Sequence, residues 1–131
     1  MTREEFRKRT FQFGVRCIRL AESLPKSLAA QVVARRSIRA ATSVGANYRA
    51  AARAKSRADF VSKMGIVEEE CDEAPYWIEM LIELGLGLAA RTSELQAGAN
   101  EILAVVVSST KTARANPNTA PQSAIRNPLS P

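Results

Sequence analysis

Between residues 60 and 81 the side chains Phe60, Met64, Val67, Cys71, Ala74, Ile78 and Leu81 follow one another at alternating steps of four and three. That spacing gathers them on one face of an α-helix, whereas a strand would scatter them over both faces of a sheet. A helix with a single apolar stripe must bury it against other helices. Three more segments supply partners. Phe6, Thr10, Phe13, Cys17, Leu20 and Leu24 form one stripe, Ile38, Ala41, Val44, Gly45, Tyr48 and Ala52 a second, and Leu95, Ala99, Ile102, Val106 and Ser109 a third. The pattern predicts an all-α fold, an antiparallel up-and-down four-helix bundle joined by short connections.

Local signals set the boundaries. Thr2 followed by Glu5 has the capping-box spacing, so the first helix starts there, and Leu24-Pro25 ends it because proline disfavours helix for the residue before it. The second helix is expected from about Ser27 to Ala54, its small residues allowing a neighbour to approach closely. Ser56 and Asp59 form a second box for the third helix, and Gly85 and Gly87 mark the turn after it. Pro75 cannot donate to the carbonyl of Cys71, so a kink or short break is expected near residues 71 to 75 of an otherwise single helix. Thr92 or Ser93 is the expected cap of the fourth helix, which fades near Arg114. The bundle thus spans residues 1–114. Residues 115–131, with Pro117, Pro121, Pro128 and Pro131 among Asn, Ser, Thr and Ala, read as a disordered C-terminal tail that cannot bury enough apolar area to fold.

At 131 residues the chain is long enough for one core and too short for two. It contains no histidine, the commonest general base and metal ligand. Di-metal sites of ferritin-like bundles use Glu-x-x-His, so no metal is expected. Nucleophile motifs and glycine-rich phosphate loops are absent too. The reading is a protein that is not an enzyme and needs no cofactor. Cys17 and Cys71 lie on the apolar stripes and form no CxxC pair, which fits buried free thiols in a reducing compartment. No stretch approaches the roughly 20 apolar residues of a membrane span, and the chain opens Thr2-Arg3-Glu4-Glu5 after its methionine rather than with a signal sequence. A cytoplasmic protein without a membrane partner is expected.

Charge is unevenly divided. Residues 1–63 hold 15 basic and 4 acidic side chains, a net of +11, and residues 64–131 hold 4 basic and 9 acidic, a net of −5. At about 100° per residue, Arg35, Arg39, Arg49 and Arg53 fall within a narrow stripe on the second helix. Over about 27 Å of helix such a stripe can follow a nucleic-acid backbone and displace its counterions. On the third helix Glu68, Asp72, Glu79 and Glu83 form an acidic stripe. Pairing of the two stripes within the bundle or across a subunit contact, and an ordinary solvated face, are the competing readings. Few aromatics interleave with the cations, which argues against base stacking as the main mode of binding. Tyr76 and Trp77 point about 100° apart, so one packs on the core and the other is free to face a neighbouring subunit.

The run Arg36-Ser37, Thr42-Ser43-Val44-Gly45-Ala46-Asn47-Tyr48-Arg49, Ala54-Lys55-Ser56 and Asp59-Phe60 resembles the bacterial four-helix bundle protein family, also named for proteins encoded in intervening sequences of large-subunit ribosomal RNA genes. The resemblance continues through Ser62-Lys63, Glu68-Glu69, Asp72-Glu73, Tyr76-Trp77 and the segment from Leu81 to Gly85, and covers roughly residues 6 to 110. It implies an up-and-down bundle. The resemblance also extends to relatives that serve as accessory proteins of diversity-generating retroelements and look like homopentameric rings, and it implies a basic surface that engages RNA and a reverse transcriptase. No catalytic residue carries over. The residues matching the basic part of the pattern are Arg35, Arg36, Arg39, Arg49, Arg53 and Lys55. Pro75 departs from the family pattern, and the residues after Asn116 have no counterpart in it.

The function expected is a homo-oligomer, by resemblance a pentamer, that binds nucleic acid, RNA in preference to DNA, through basic residues of the first two helices. The alternative is an oligomeric scaffold or adaptor for a protein partner such as a reverse transcriptase. Its contact residues would be Tyr76, Trp77, Glu68, Asp72, Glu79 and Glu83.

Overall fold

In a computed structural model, which describes residues 1–115, the chain forms four helices: α1 (Arg3–Glu22), α2 (Leu28–Ala52), α3 (Arg57–Glu83) and α4 (Ala89–Ala115). Each packs on the next, and α4 closes on α1. The directions alternate. Arg9 and Arg16 of α1 pair with Glu101 and Glu94 of α4, in reverse order along the two helices, as an antiparallel arrangement requires. The all-α four-helix bundle read from the stripes is the fold observed. No described helix is long and apolar enough to cross a membrane.

The helix starts follow the capping residues. Thr2 Oγ1 accepts the Glu5 N–H at 3.1 Å while the Thr2 N–H donates to Glu5 Oε2 at 3.2 Å, the complete capping box. Ser27 caps α2 by accepting the Ala30 N–H. Ser56 Oγ accepts the Asp59 N–H, but the Asp59 carboxylate takes the N–H of Lys55 rather than that of Ser56, one residue short of a reciprocal box. Helix α4 begins three residues before Thr92. The Thr92 hydroxyl is therefore no cap, and donates back to the Ala89 carbonyl at 3.0 Å. Of the tail expected over 115–131, Ala115 closes α4 and residues 116–131 lie outside the described region.

All seven members of the α3 stripe are buried, and the helix runs unbroken through Pro75. Of the kink or short break expected near residues 71 to 75, the break does not occur, and the single element expected is observed. Cys71 and Ala74 before the proline and Ile78 after it are held in one core, so the missing hydrogen bond does not part the helix. Helix α2 turns a slightly different face inward than its stripe suggested. Val33, Ser37, Ala40, Val44, Tyr48 and Ala51 are buried, whereas Ile38, Gly45 and Ala52 sit at the edge of the contact. Buried hydroxyls cost little here, because Ser37, Ser109 and Thr110 donate to the carbonyls of Val33, Val105 and Val106 in their own helices. After α3, Gly85 and Gly87 take φ of 66° and 79°, the left-handed region open to glycine. A side chain at Gly87 would also strike Leu20 and Leu24 where α1 ends.

The basic half of the sequence becomes one side of the bundle, α1 and α2 with the start of α3. Residues 64–115, the rest of α3 and all of α4, hold 3 basic and 9 acidic side chains.

Candidate nucleic-acid interface

Antiparallel packing sets the start of α1 beside the end of α2. The two helices meet along a seam of small residues. A Cβ on Gly45 would stand 3.3 Å from the Thr10 carbonyl oxygen, and one on Gly14 would touch Thr42 at 3.5 Å. Phe11, Val15 and Ile18 line an open groove of about 330 Å³ along this seam, and Phe11 remains half exposed. The guanidinium of Arg49 lies 5.5 Å from the centre of the Phe11 ring, a cation–π contact that holds a cation of α2 over α1.

Beyond Phe11 the cations converge. Arg3, Arg7, Arg49 and Arg53 surround a hollow of about 210 Å³ with Tyr48 among its walls. Arg7 and Arg49 also border an adjoining hollow with Lys8, Phe11 and Gln12. Glu4 is the acidic side chain in this cluster, and it accepts a hydrogen bond from Arg7 at 2.9 Å. That bond, and then the charge of Arg7, hold the Glu4 carboxyl below the usual carboxylate range, so it stays ionised and offsets one cation of the five.

The six cations expected to bind nucleic acid are all exposed but have different neighbours. Arg49 and Arg53 belong to the cluster just described. Arg36 instead lies 5.8 Å from the centre of the Trp77 ring, and Arg39 sits 3.7 Å from carboxylate oxygens of both Glu70 and Glu73 on α3. Arg35 is exposed and makes no ion pair among the described residues, and Lys55 is exposed in the α2–α3 connection. Helical geometry explains the split. Taking Arg35 as zero, Arg36 and Arg39 lie to the side of α2 that faces α3, and Arg49 to the side that faces α1. Arg3, Arg7 and Lys8, which complete the cluster, were legible only as part of the general basicity of α1. The signal that could have found them is the four-residue step from Arg3 to Arg7, combined with the antiparallel order that puts them beside Arg49 and Arg53.

The expected contact residues of α3 also divide. Glu68 is half-buried, Asp72, Glu79 and Glu83 are exposed, and none forms an ion pair with α2 among the described residues. The carboxylates that do pair are Glu70 and Glu73, on the opposite flank of the helix. Trp77 is on that flank too, packs against the core and donates its indole N–H to Glu73 at 3.1 Å. Tyr76 is 55% exposed, edge-on to Trp77 at 5.0 Å.

Cys17 and Cys71 lie in the core, away from the cationic cluster. Both are buried free thiols, and burial pushes each up to about 12.

No curated protein matches this chain. Among solved structures, a protein of unknown function from the S23 ribosomal protein family of Bacteroides thetaiotaomicron is similar at 31% identity, with a TM-score of 0.77 over 86% of this chain and 100% of that one. The family model described as 23S rRNA-intervening sequence protein matches residues 3–108, nearly the whole bundle. The chain therefore belongs to the bacterial 23S rRNA-intervening sequence protein family.

Proposed function

We propose that this protein is a non-enzymatic, cytoplasmic homo-oligomer that binds structured RNA, in preference to DNA, through the cationic end of its α1–α2 face. The observation that carries the reading is the convergence of Arg3, Arg7, Lys8, Arg49 and Arg53 around two adjoining hollows with Glu4 as the opposing charge. Phosphate contacts made by such a cluster supply affinity without reading bases, which suits recognition of a fold more than of a sequence. The Bacteroides relative is placed by name in a ribosomal protein family, which favours RNA as the ligand, whereas the name of this chain's own family refers to where its genes lie. A pentamer, as the family resemblance implies, would present five copies of the cluster and multiply weak contacts by avidity.

The test is fluorescence anisotropy with a structured RNA and a duplex DNA at low and physiological salt, beside a variant carrying Arg7→Glu, Lys8→Glu, Arg49→Glu and Arg53→Glu. Arg39 is left intact because it pairs with Glu70 and Glu73 inside the bundle. Salt-sensitive binding by the wild type that the variant loses supports the reading, provided circular dichroism and sedimentation show the variant folded and assembled. Absence of binding by the wild type overturns it.

A second reading is an oligomeric scaffold for a protein partner, a reverse transcriptase among the candidates. It is favoured by the half-exposed Phe11 over its apolar groove and by the exposed Tyr76. Pull-down of such a partner that survives the four reversals but fails with Phe11→Ser would support it.

A further inference from the structure

The Tyr48 side chain is fully buried and fixed by an edge-to-face contact with Phe6 at 5.0 Å, yet its hydroxyl has no hydrogen-bond partner among the described residues. A buried hydroxyl without a partner is a liability that native folds seldom keep. Tyr48 lines the hollow ringed by Arg3, Arg7, Arg49 and Arg53, and the charges of Arg3 and Arg7 act on its phenol. Those side chains are exposed and long enough to move aside from it. Burial raises the phenol well above its ordinary value, against the opposing pull of Arg3 and Arg7, so at neutral pH the oxygen carries its proton and can donate.

The groups around the hollow are therefore hydrogen-bond donors, and positive ones, with the exception of Glu4, whose carboxylate is engaged by Arg7. Their complement is a compact anion with several acceptor oxygens pointing in different directions. A carboxylate offers two oxygens in one plane, whereas a phosphate offers them in tetrahedral directions and suits donors arriving from two helices. We infer that this hollow is a phosphate-binding site, in which the Tyr48 hydroxyl donates to one phosphate oxygen and the arginines of α1 and α2 hold the others. The inference rests on the RNA-binding reading of this face and makes an RNA phosphate the ligand. The same chemistry would accept inorganic phosphate or a small phosphorylated molecule.

The test uses the full chain and the variant Tyr48→Phe, which keeps the ring and its contact with Phe6 but removes the hydroxyl. Arg53→Gln, at the end of α2, is the second variant should the first fail to fold, and Arg91→Glu at the far end of the bundle is the control. Structured-RNA affinity is measured by anisotropy, and the melting temperature is measured in sodium phosphate and in sodium chloride of equal ionic strength. Tyr48→Phe is expected to weaken RNA binding about tenfold, the size of one hydrogen bond to a charged group. Its melting temperature in chloride should not fall, since the lost hydroxyl had no partner, whereas a merely structural hydroxyl would lower it. A wild type that binds RNA in a salt-sensitive manner no better than either site variant overturns the site and leaves the basic surface standing. A wild type that binds no RNA, but is stabilised by phosphate beyond chloride in a Tyr48-dependent manner, overturns the RNA reading, keeps the site and makes a free phosphate its ligand. Neither effect overturns both.

Discussion

Gly45 of α2 lies directly against the backbone of Thr10 of α1, so close that a Cβ there would stand 3.3 Å from the Thr10 carbonyl oxygen. The neighbour is main chain, not the end of a flexible side chain, and cannot easily yield. Gly45→Val is therefore expected to lower stability by about 2 kcal/mol. Gly98 in α4 has open space where its Cβ would be, and Gly14 only ordinary contacts. There Gly→Ala should gain helix propensity, about 0.5–1 kcal/mol each. Urea unfolding of the three variants checks the contrast, and a Gly45→Val protein as stable as the wild type would show that the helices are not this close.

Arg39 approaches Glu70 and Glu73 at 3.7 Å, with a side chain more than half exposed. A double-mutant cycle between Arg39→Ala and Glu73→Ala should give a coupling of about 0.5 kcal/mol that fades at high salt. A coupling that appeared only in the assembled oligomer would place this pair between subunits instead.

The thiols of Cys17 and Cys71 are pushed from 9.0 up to about 12 by burial, first of all. Between these values the unfolded chain has lost protons that the folded chain retains, so unfolding gains in favour as pH rises. Stability should be level below about pH 8 and fall above it, on the order of 2 kcal/mol per thiol by pH 10.5. The buried Tyr48 phenol acts in the same direction. Thermal melts from pH 7 to 10.5 test this, and a Cys17→Ala, Cys71→Ala protein should show a flatter profile. At neutral pH both thiols should react with an aromatic disulfide reagent only as fast as the chain opens.

Single replacements of Arg7, Lys8, Arg49 and Arg53 by alanine should each reduce the slope of log affinity against log salt by about 1 for RNA. Arg36→Ala should leave the slope nearly unchanged, because that guanidinium already stacks on Trp77. Titrations at four salt concentrations separate the two groups.

The fold could be read because large apolar residues recur with the helical period. On α3 each of the seven stripe positions is buried, and on α1 Phe6, Thr10, Phe13, Cys17 and Leu20 are. Alanine weakens that signal. On α2 alanines occupy the buried face and its edges alike, so the apolar pattern points part of a turn away from the inward face and predicts for Ile38 a core place that Ser37 holds. The candidate site was less legible for a related reason. One helix's angular order shows which arginines are neighbours, but not which neighbouring helix each one meets. Arg36 and Arg39 meet α3, where Arg36 lies over Trp77 and Arg39 pairs with Glu70 and Glu73, which stand outside the acidic stripe of Glu68, Asp72, Glu79 and Glu83. Tyr48 has the pattern of a core residue and is core, and only the packing of α1 on α2 sets it in the wall of the charged hollow.

The division of charge between the two sides of the bundle has a kinetic meaning. A molecule whose cations crowd one flank and whose carboxylates crowd the other possesses an electric moment across its short axis, and near a polyanion it experiences a torque as well as a pull. It would turn its α1–α2 flank forward within a Debye length, about 8 Å at physiological ionic strength, before the first contact forms. On the RNA-binding reading, collisions in the opposite pose would be repelled by the carboxylates of α3, so this acidic helix would shorten the search by rejecting wrong encounters.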